Sequence, residues 1–194
     1  MSSGIQLIVG LGNPGAEYEK TRHNAGAWFV TELADATNVV LRPDSKLSGL
    51  HGIAKLHGHA CHLLIPTTYM NLSGQPVQAL ASYYKIAPDA ILVAHDEIDL
   101  PVGDIRLKFD GGHGGHNGIR DVMKHINNNK FYRLRIGVGR PEKSSDSADY
   151  VLHPPKKAER TQIDAAMQKA NQIIPLVLAG QFQKAMQELH TIEK

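Results

Sequence analysis

Histidine, aspartate and asparagine are the side chains here whose types and placement could do chemistry. Asn13 stands in the turn Gly10–Gly15, and His23 lies near the end of the polar run that follows. Asn71 follows the segment Pro66–Met70, and Asp96 lies in His95–Asp99. The glycine-rich segment Gly111–Gly118 carries His113, His116 and Asn117. With such groups the accessible chemistry is attack by water. An imidazole takes its proton, a carboxylate fixes the imidazole tautomer and stabilises its cation, and carboxamides donate to a developing oxyanion. General-base help of this kind is worth ~10²–10⁴-fold in rate. His23, His95, His113 and His116 are all candidates for the base on residue type alone.

Other chemistries fit less well. There is no G-x-S-x-G elbow, and the single cysteine, Cys61, precedes an apolar strand-like run, where thiols are inert core. One cysteine also excludes an internal disulfide and a thiolate metal cluster. Gly10–Gly15 matches G-x-G-x-x-G literally, but a dinucleotide site needs a helix to begin within that motif, and here a helix-poor polar run continues to about Asn24. His113 and His116 with Asp96 could form a three-ligand zinc site. The pair falls on a glycine loop with no helix to hold both rings on one face, so no metal is expected.

The elements that must position these residues can be read from hydrophobic spacing. Ile5–Val9 reads as a strand buried on both faces, stopped by a turn in which Pro14 pushes Asn13 out of the helical region. Ala25, Trp28, Phe29 and Leu33 predict a helix over 25–36. Strands are expected at Val39–Leu41, more weakly around Gly52–Leu56, and at His62–Pro66. A helix with Pro76 in its first turn then precedes a strand at Ala90–Ala94. Three apolar strands are thus each followed by a polar segment carrying Asn13, Asn71 or Asp96. If the strands are parallel, these side chains gather at one end of the sheet. Gly103–Phe109 reads as a strand or hairpin arm. The glycine loop leads into a helix carrying Ile119, Val122, Met123 and Ile126, with Asn117 as its N-cap. A glycine loop at a helix N-terminus suits a phosphate or carbonyl oxygen. Phe131–Val138 should aim Arg133 and Arg135 to one side. Residues 140–150 read as a flexible surface loop, and two amphipathic helices complete the chain, the first kinked at Pro175. The expected fold is therefore α/β, a single three-layer domain over residues 1–194. Its twisted, mixed and largely parallel central sheet is flanked by helices, with two C-terminal helices.

Net charge is only +2, yet residues 101–160 hold 12 of the 21 Lys and Arg against 7 of the 19 Asp and Glu, a net of +5 that leaves −3 elsewhere. One basic face would suit a nucleic-acid or phosphate partner. No basic segment precedes the short apolar run at the N-terminus, so neither secretion nor a membrane span is expected, and a reducing cytoplasm fits. A second function class stays open on these features: a module that binds nucleic acid or a nucleotide without catalysis.

The segments Gly10–Gly15, Thr21–Gly26, Pro66–Gly74, His95–Pro101 and Gly111–Gly118 resemble, in order and spacing, the successive signatures of bacterial peptidyl-tRNA hydrolase. The likeness runs from about Ile5 into the last helix. It implies a cofactor-free and metal-free esterase that cleaves the ester between a peptide and the 3′ end of tRNA, with no obligate protein partner and a monomeric state. Position by position, it implies His23 as the base activating water, Asp96 as its orienting partner, and Asn13 as the residue positioning water and the reacting end of the substrate. Asn71 and Asn117 would hold peptide backbone and stabilise the tetrahedral intermediate. Tyr18, Met70 and His116 would line the cleft, and Lys108 with Arg135 would clamp the tRNA 5′-phosphate. Asp110, Arg140 and His153 depart from the family pattern, at positions outside the expected reacting centre.

Overall fold

In the computed structural model, which describes residues 3–191, one mixed sheet of seven strands organises the chain. The strands are β1 (Leu7–Gly10), β2 (Arg42–Asp44), β3 (Gly49–Leu56), β4 (His59–Pro66), β5 (Ile91–Glu97), β6 (Ile105–Phe109) and β7 (Tyr132–Gly137), in spatial order β2-β3-β4-β1-β5-β7-β6. The central four, β4-β1-β5-β7, are mutually parallel, whereas β2, β3 and β6 are antiparallel additions at the edges. The helices are α1 (Ala25–Ala36), α2 (Gly74–Tyr83), α3 (Asn117–Ile126), α4 (Ser147–Tyr150), α5 (Lys157–Leu178) and α6 (Phe182–His190).

Alternation along the strands divides the core in two. Ile8 and Leu92 face one way, against Phe29 and Val30 of α1 and Ile163, Met167 and Ile174 of α5. Leu7, Val9, Ile91 and Val93 face the other way, against Val77 and Leu80 of α2 and Ile119 and Val122 of α3. Helices therefore cover both faces, which is why the central strands read as unbroken apolar runs. Among the described residues no helix is long and apolar enough to cross a membrane.

The structure departs from the expectations in several places. The strand expected at Val39–Leu41 lies instead at Arg42–Asp44. Pairing begins where Arg42 meets His51, on an exposed edge whose residues carry no apolar signal, while Val39 and Leu41 are unpaired chain packed against the core. Asp96 is inside β5 rather than after it, because pairing with β7 extends to Glu97. Residues 140–150 contain a 3₁₀ turn at Ser144–Asp146 and helix α4. Tyr150 anchors this stretch through its hydroxyl, which donates to the Val138 carbonyl at 2.7 Å, and through the Arg22 guanidinium stacked 3.9 Å from its ring centroid. Helix α5 runs on through Pro175 to Leu178. At the open edge, the Leu107 N–H of β6 donates to Nε2 of His190 at the end of α6, 3.0 Å away.

Candidate active site

The parallel strands bring Asn13, Asn71 and Asp96 to one end of the sheet, and a 3₁₀ turn at Arg22–Asn24, just before α1, brings His23 into the same cleft. That approach depends on Gly26. A Cβ there would lie 2.1 Å from the Ala94 carbonyl oxygen, so only glycine lets the first turn of α1 sit on β5. The segment before it is held on both sides. Asn13 N–H donates to Asn24 Oδ1 at 2.9 Å, and Asn24 Nδ2 donates back to the Asn13 carbonyl at 3.0 Å. The backbone N–H groups of Arg22 and His23 donate to the carbonyls of His153 and Val151. Buried Arg22 also donates to the carbonyls of Tyr150 and His153, at 3.0 and 3.1 Å.

At the centre, Asp96 is 3 % exposed and receives two imidazoles. His23 Nδ1 lies 3.0 and 2.9 Å from its two oxygens, and His116 Nε2 lies 2.8 Å from Oδ1. The tautomers follow from the neighbours. His116, rather than the expected Asn117, is the N-cap of α3, and its Nδ1 accepts the N–H groups of Gly118 and Ile119 at 3.1 and 3.2 Å. A nitrogen that accepts carries no proton, so His116 holds its proton on Nε2 and gives it to Asp96. The carboxylate accepts from His23 Nδ1 as well, which leaves His23 Nε2 unprotonated when the ring is neutral. That nitrogen has no hydrogen-bond partner among the described residues, and His23 lines the cleft.

The electrostatics agree with this assignment. Burial alone would lower the His23 pKa, but the charge of Asp96 and its hydrogen bond outweigh burial and move it above the usual 6.5. Burial would likewise raise the Asp96 pKa, yet the two imidazoles hold its carboxyl far below the ordinary carboxylate range.

The cleft around this cluster has a volume of about 1000 Å³. Tyr18, Met70, Asn71, His116 and Asn117 all line it, together with Asn13 and with Ser147 and Ala148 of α4. Asn13 Oδ1 accepts the Met70 N–H at 2.7 Å, which leaves its amide NH₂ as the end offered to the cleft. Asn71 and Asn117 are exposed in its wall. A second cavity of about 260 Å³ adjoins it on the far side of the glycine loop. Lys108 and Arg135 are both in its lining, and so is Arg133.

The peptidyl-tRNA hydrolase family model matches residues 7–194. The chain belongs to the peptidyl-tRNA hydrolase family. The fold agrees: a crystal structure of peptidyl-tRNA hydrolase from Acinetobacter baumannii superposes with a TM-score of 0.96 at 47 % identity, over 100 % of this chain and 98 % of that one. A peptidyl-tRNA hydrolase crystallised with n-propanol gives 0.94 at 48 % identity, over 97 % and 96 % of the two chains. Membership makes the protein a hydrolase of peptidyl-tRNA, acting in translation.

In this hydrolase some site features were absent from the sequence reading. Arg133 is buried and donates to the carbonyls of Gly111, at 2.8 Å, and Gly112, so it fastens the glycine loop. Arg135 Nε donates to Glu97 Oε1 at 2.8 Å, so this cation is already ion-paired. The Asn24 carboxamide, next to His23 in the sequence, is spent on the Asn13 backbone and does not line the cleft. The zinc alternative also changes its members. Among the described residues, the group with metal-ligand spacing is His23, Asp96 and His116, with ligand atoms within 4.8 Å of one another. His113 is outside it, its Nδ1 accepting the Gly115 N–H in the loop. Asp110 takes the left-handed conformation, φ 66°, with Oδ1 accepting the Gly111 N–H, so a residue tolerant of that region stands at this turn. Arg140 pairs with Asp99 and His153 with Asp149, and neither lines the cleft.

Proposed function

We propose that His23 is the general base of a metal-independent ester hydrolysis. His23 Nε2 takes a proton from a water molecule as the water oxygen attacks the carbonyl carbon that joins the peptide to the 3′-terminal ribose. The imidazolium formed is stabilised by Asp96, which accepts from Nδ1–H throughout. The Asn13 amide orients the water and the reacting end of the substrate. Asn117 and Asn71 hold the peptide backbone and donate to the negative oxygen of the tetrahedral intermediate. Collapse breaks the bond to the ribose oxygen, which takes the proton back from His23. The products are a free peptide carboxylate and tRNA with its 3′-hydroxyl restored.

The observation that carries this reading is the capped imidazole of His116. By spending Nδ1 on α3, it compels Asp96 to act as a pure acceptor toward His23. Tyr18, Met70 and His116 shape the cleft. Lys108 and Arg135 engage the tRNA 5′-phosphate in the second cavity, which accords with the basic stretch of sequence. No cofactor takes part, and residues 1–194 act as one domain, as a monomer, in the cytoplasm. The test is His23→Ala. Hydrolysis of N-acetylaminoacyl-tRNA should fall ~10²–10⁴-fold while tRNA affinity stays within about twofold. Turnover within tenfold of the parent enzyme would remove His23 as the base.

A further inference from the structure

Successive residues of β5 serve different cavities. Asp96 enters the cleft, while His95, one position earlier, stands in the wall of the second cavity. His95 is 4 % exposed, and its Nδ1–H donates to the Asp96 carbonyl at 2.8 Å. Its ring meets that of His116 edge-on, with centroids 5.0 Å apart. Since Nδ1 carries the proton, Nε2 is a bare acceptor, buried and without a hydrogen-bond partner among the described residues. Burial, then the neighbouring His116 and Arg133, outweigh the Asp96 carbonyl and carboxylate and hold the ring neutral, with its pKa pushed down to about 3. A neutral acceptor in a cationic cavity is an odd furnishing for a purely anionic guest.

The surrounding cations are largely committed. Arg135 shares its charge with Glu97, Arg133 donates to loop carbonyls, and the lining carboxylate Asp99 pairs with Arg140. Lys108 is the lining cation without a hydrogen bond or ion pair among the described residues, and His113 completes the rim. Such a cavity suits a guest with anionic oxygens and one hydrogen to donate. A phosphate monoester, with its second ionisation near pH 6, supplies both. An internal phosphodiester carries the charge but lacks the hydrogen.

We propose that His95 is the specificity-determining residue of the phosphate clamp: Nε2 accepts the P–O–H hydrogen of a terminal phosphate monoester whose other oxygens meet Lys108 and Arg135. This rests on the reading of the second cavity as the site of the tRNA 5′-phosphate. It makes the clamp select a chain end over the backbone beside it. It also makes the benefit of the phosphate greatest where the monoanion is populated.

The experiment compares kcat/KM for N-acetylaminoacyl-tRNA carrying its 5′-phosphate with the same substrate after enzymatic dephosphorylation, from about pH 5.5 to about pH 8. The ratio cancels the titration of His23, which acts on both substrates. In the wild-type enzyme the ratio should exceed one at about pH 5.5 and fall toward the pH-independent floor set by Lys108 and Arg135, because the monoanion fraction drops roughly 75-fold across this range. His95→Asn keeps a donor toward the Asp96 carbonyl but has no atom at the Nε2 position, and should give a smaller ratio independent of pH. His95→Gln places a carboxamide at that position and should restore at least half of the benefit. A wild-type ratio above one but flat with pH, or a His95→Asn profile matching wild type, overturns the role of His95 and leaves the clamp standing. A wild-type ratio of one throughout overturns the clamp itself. The wild-type series alone decides between these outcomes if a variant fails to fold.

Discussion

Replacing Asp96 by Asn tests the logic of the site more sharply than removing any single group. The change keeps shape and removes one acceptor. His116 cannot adapt, because its Nδ1 is held by the N–H groups of Gly118 and Ile119 and its Nε2 must remain a donor. The introduced carboxamide must therefore turn its oxygen to His116 and its NH₂ to His23. His23 must then accept at Nδ1 and carry its proton on Nε2, the atom that in the proposed mechanism takes a proton from water. The variant retains an imidazole in place but loses the base, so the cost should match that of His23→Ala, ~10²–10⁴-fold in the chemical step. The double variant Asp96→Asn/His23→Ala should be no worse than about twofold below either single one, because groups acting as a unit are not additive. A second change should give some of the rate back. In Asp96→Asn/His116→Ala the carboxamide is free to turn its oxygen to His23, and the rate should exceed that of Asp96→Asn despite a weaker helix cap worth about 1 kcal/mol. Single-turnover cleavage of N-acetylaminoacyl-tRNA with enzyme in excess isolates this step. A rate for Asp96→Asn within tenfold of wild type, or a double variant whose loss is the product of the two single losses, would refute the tautomer argument.

Four further outcomes follow from the same geometry. As the proposed base His23 acts only when neutral, and its pKa is raised above 6.5, so kcat/KM of the wild-type enzyme should rise with pH through a midpoint above 6.5, while the His23 pKa followed by NMR should move down in Asp96→Asn. The same shift favours the protonated ring in the folded state, so its stabilising effect is complete below 6.5 and is lost as pH rises through the shifted value, which denaturant titrations across that window can follow. Lys108→Ala should raise KM and reduce the slope of log(kcat/KM) against log salt by about one unit, whereas an unchanged slope would mean that Lys108 meets no phosphate. Gly26→Ala should lower the thermal midpoint and the activity together, because a methyl group 2.1 Å from the Ala94 oxygen must push α1 away from β5; an unchanged midpoint would contradict that close approach.

Much of the scaffold was legible because local pattern and tertiary role agree. Helix α1 spans the residues its apolar spacing predicts, and the central strands announce themselves as apolar runs because both faces are covered. The gathering of Asn13, Asn71 and Asp96 followed from parallel pairing alone. What was hidden depends on contacts between distant segments. Nothing around His116 states that its ring caps α3 on one side and meets Asp96 on the other, since the glycines before it erase any helical signal. Strand β2 is exposed and contains Pro43, so its existence depends on β3 rather than on its own residues. The order in 144–150 comes from Arg22, a partner more than a hundred positions away, and polar composition alone reads as loop.

The bond between Leu107 and His190 sets the outer border of the sheet. A strand with free N–H groups invites another chain to add itself, and here α6 blocks that invitation with a nitrogen lone pair. Only an unprotonated imidazole can do so, and burial, with help from Arg106, keeps the His190 pKa below its ordinary value. The wall that carries Lys108 is thus bordered by a contact that requires the neutral form of the His190 ring.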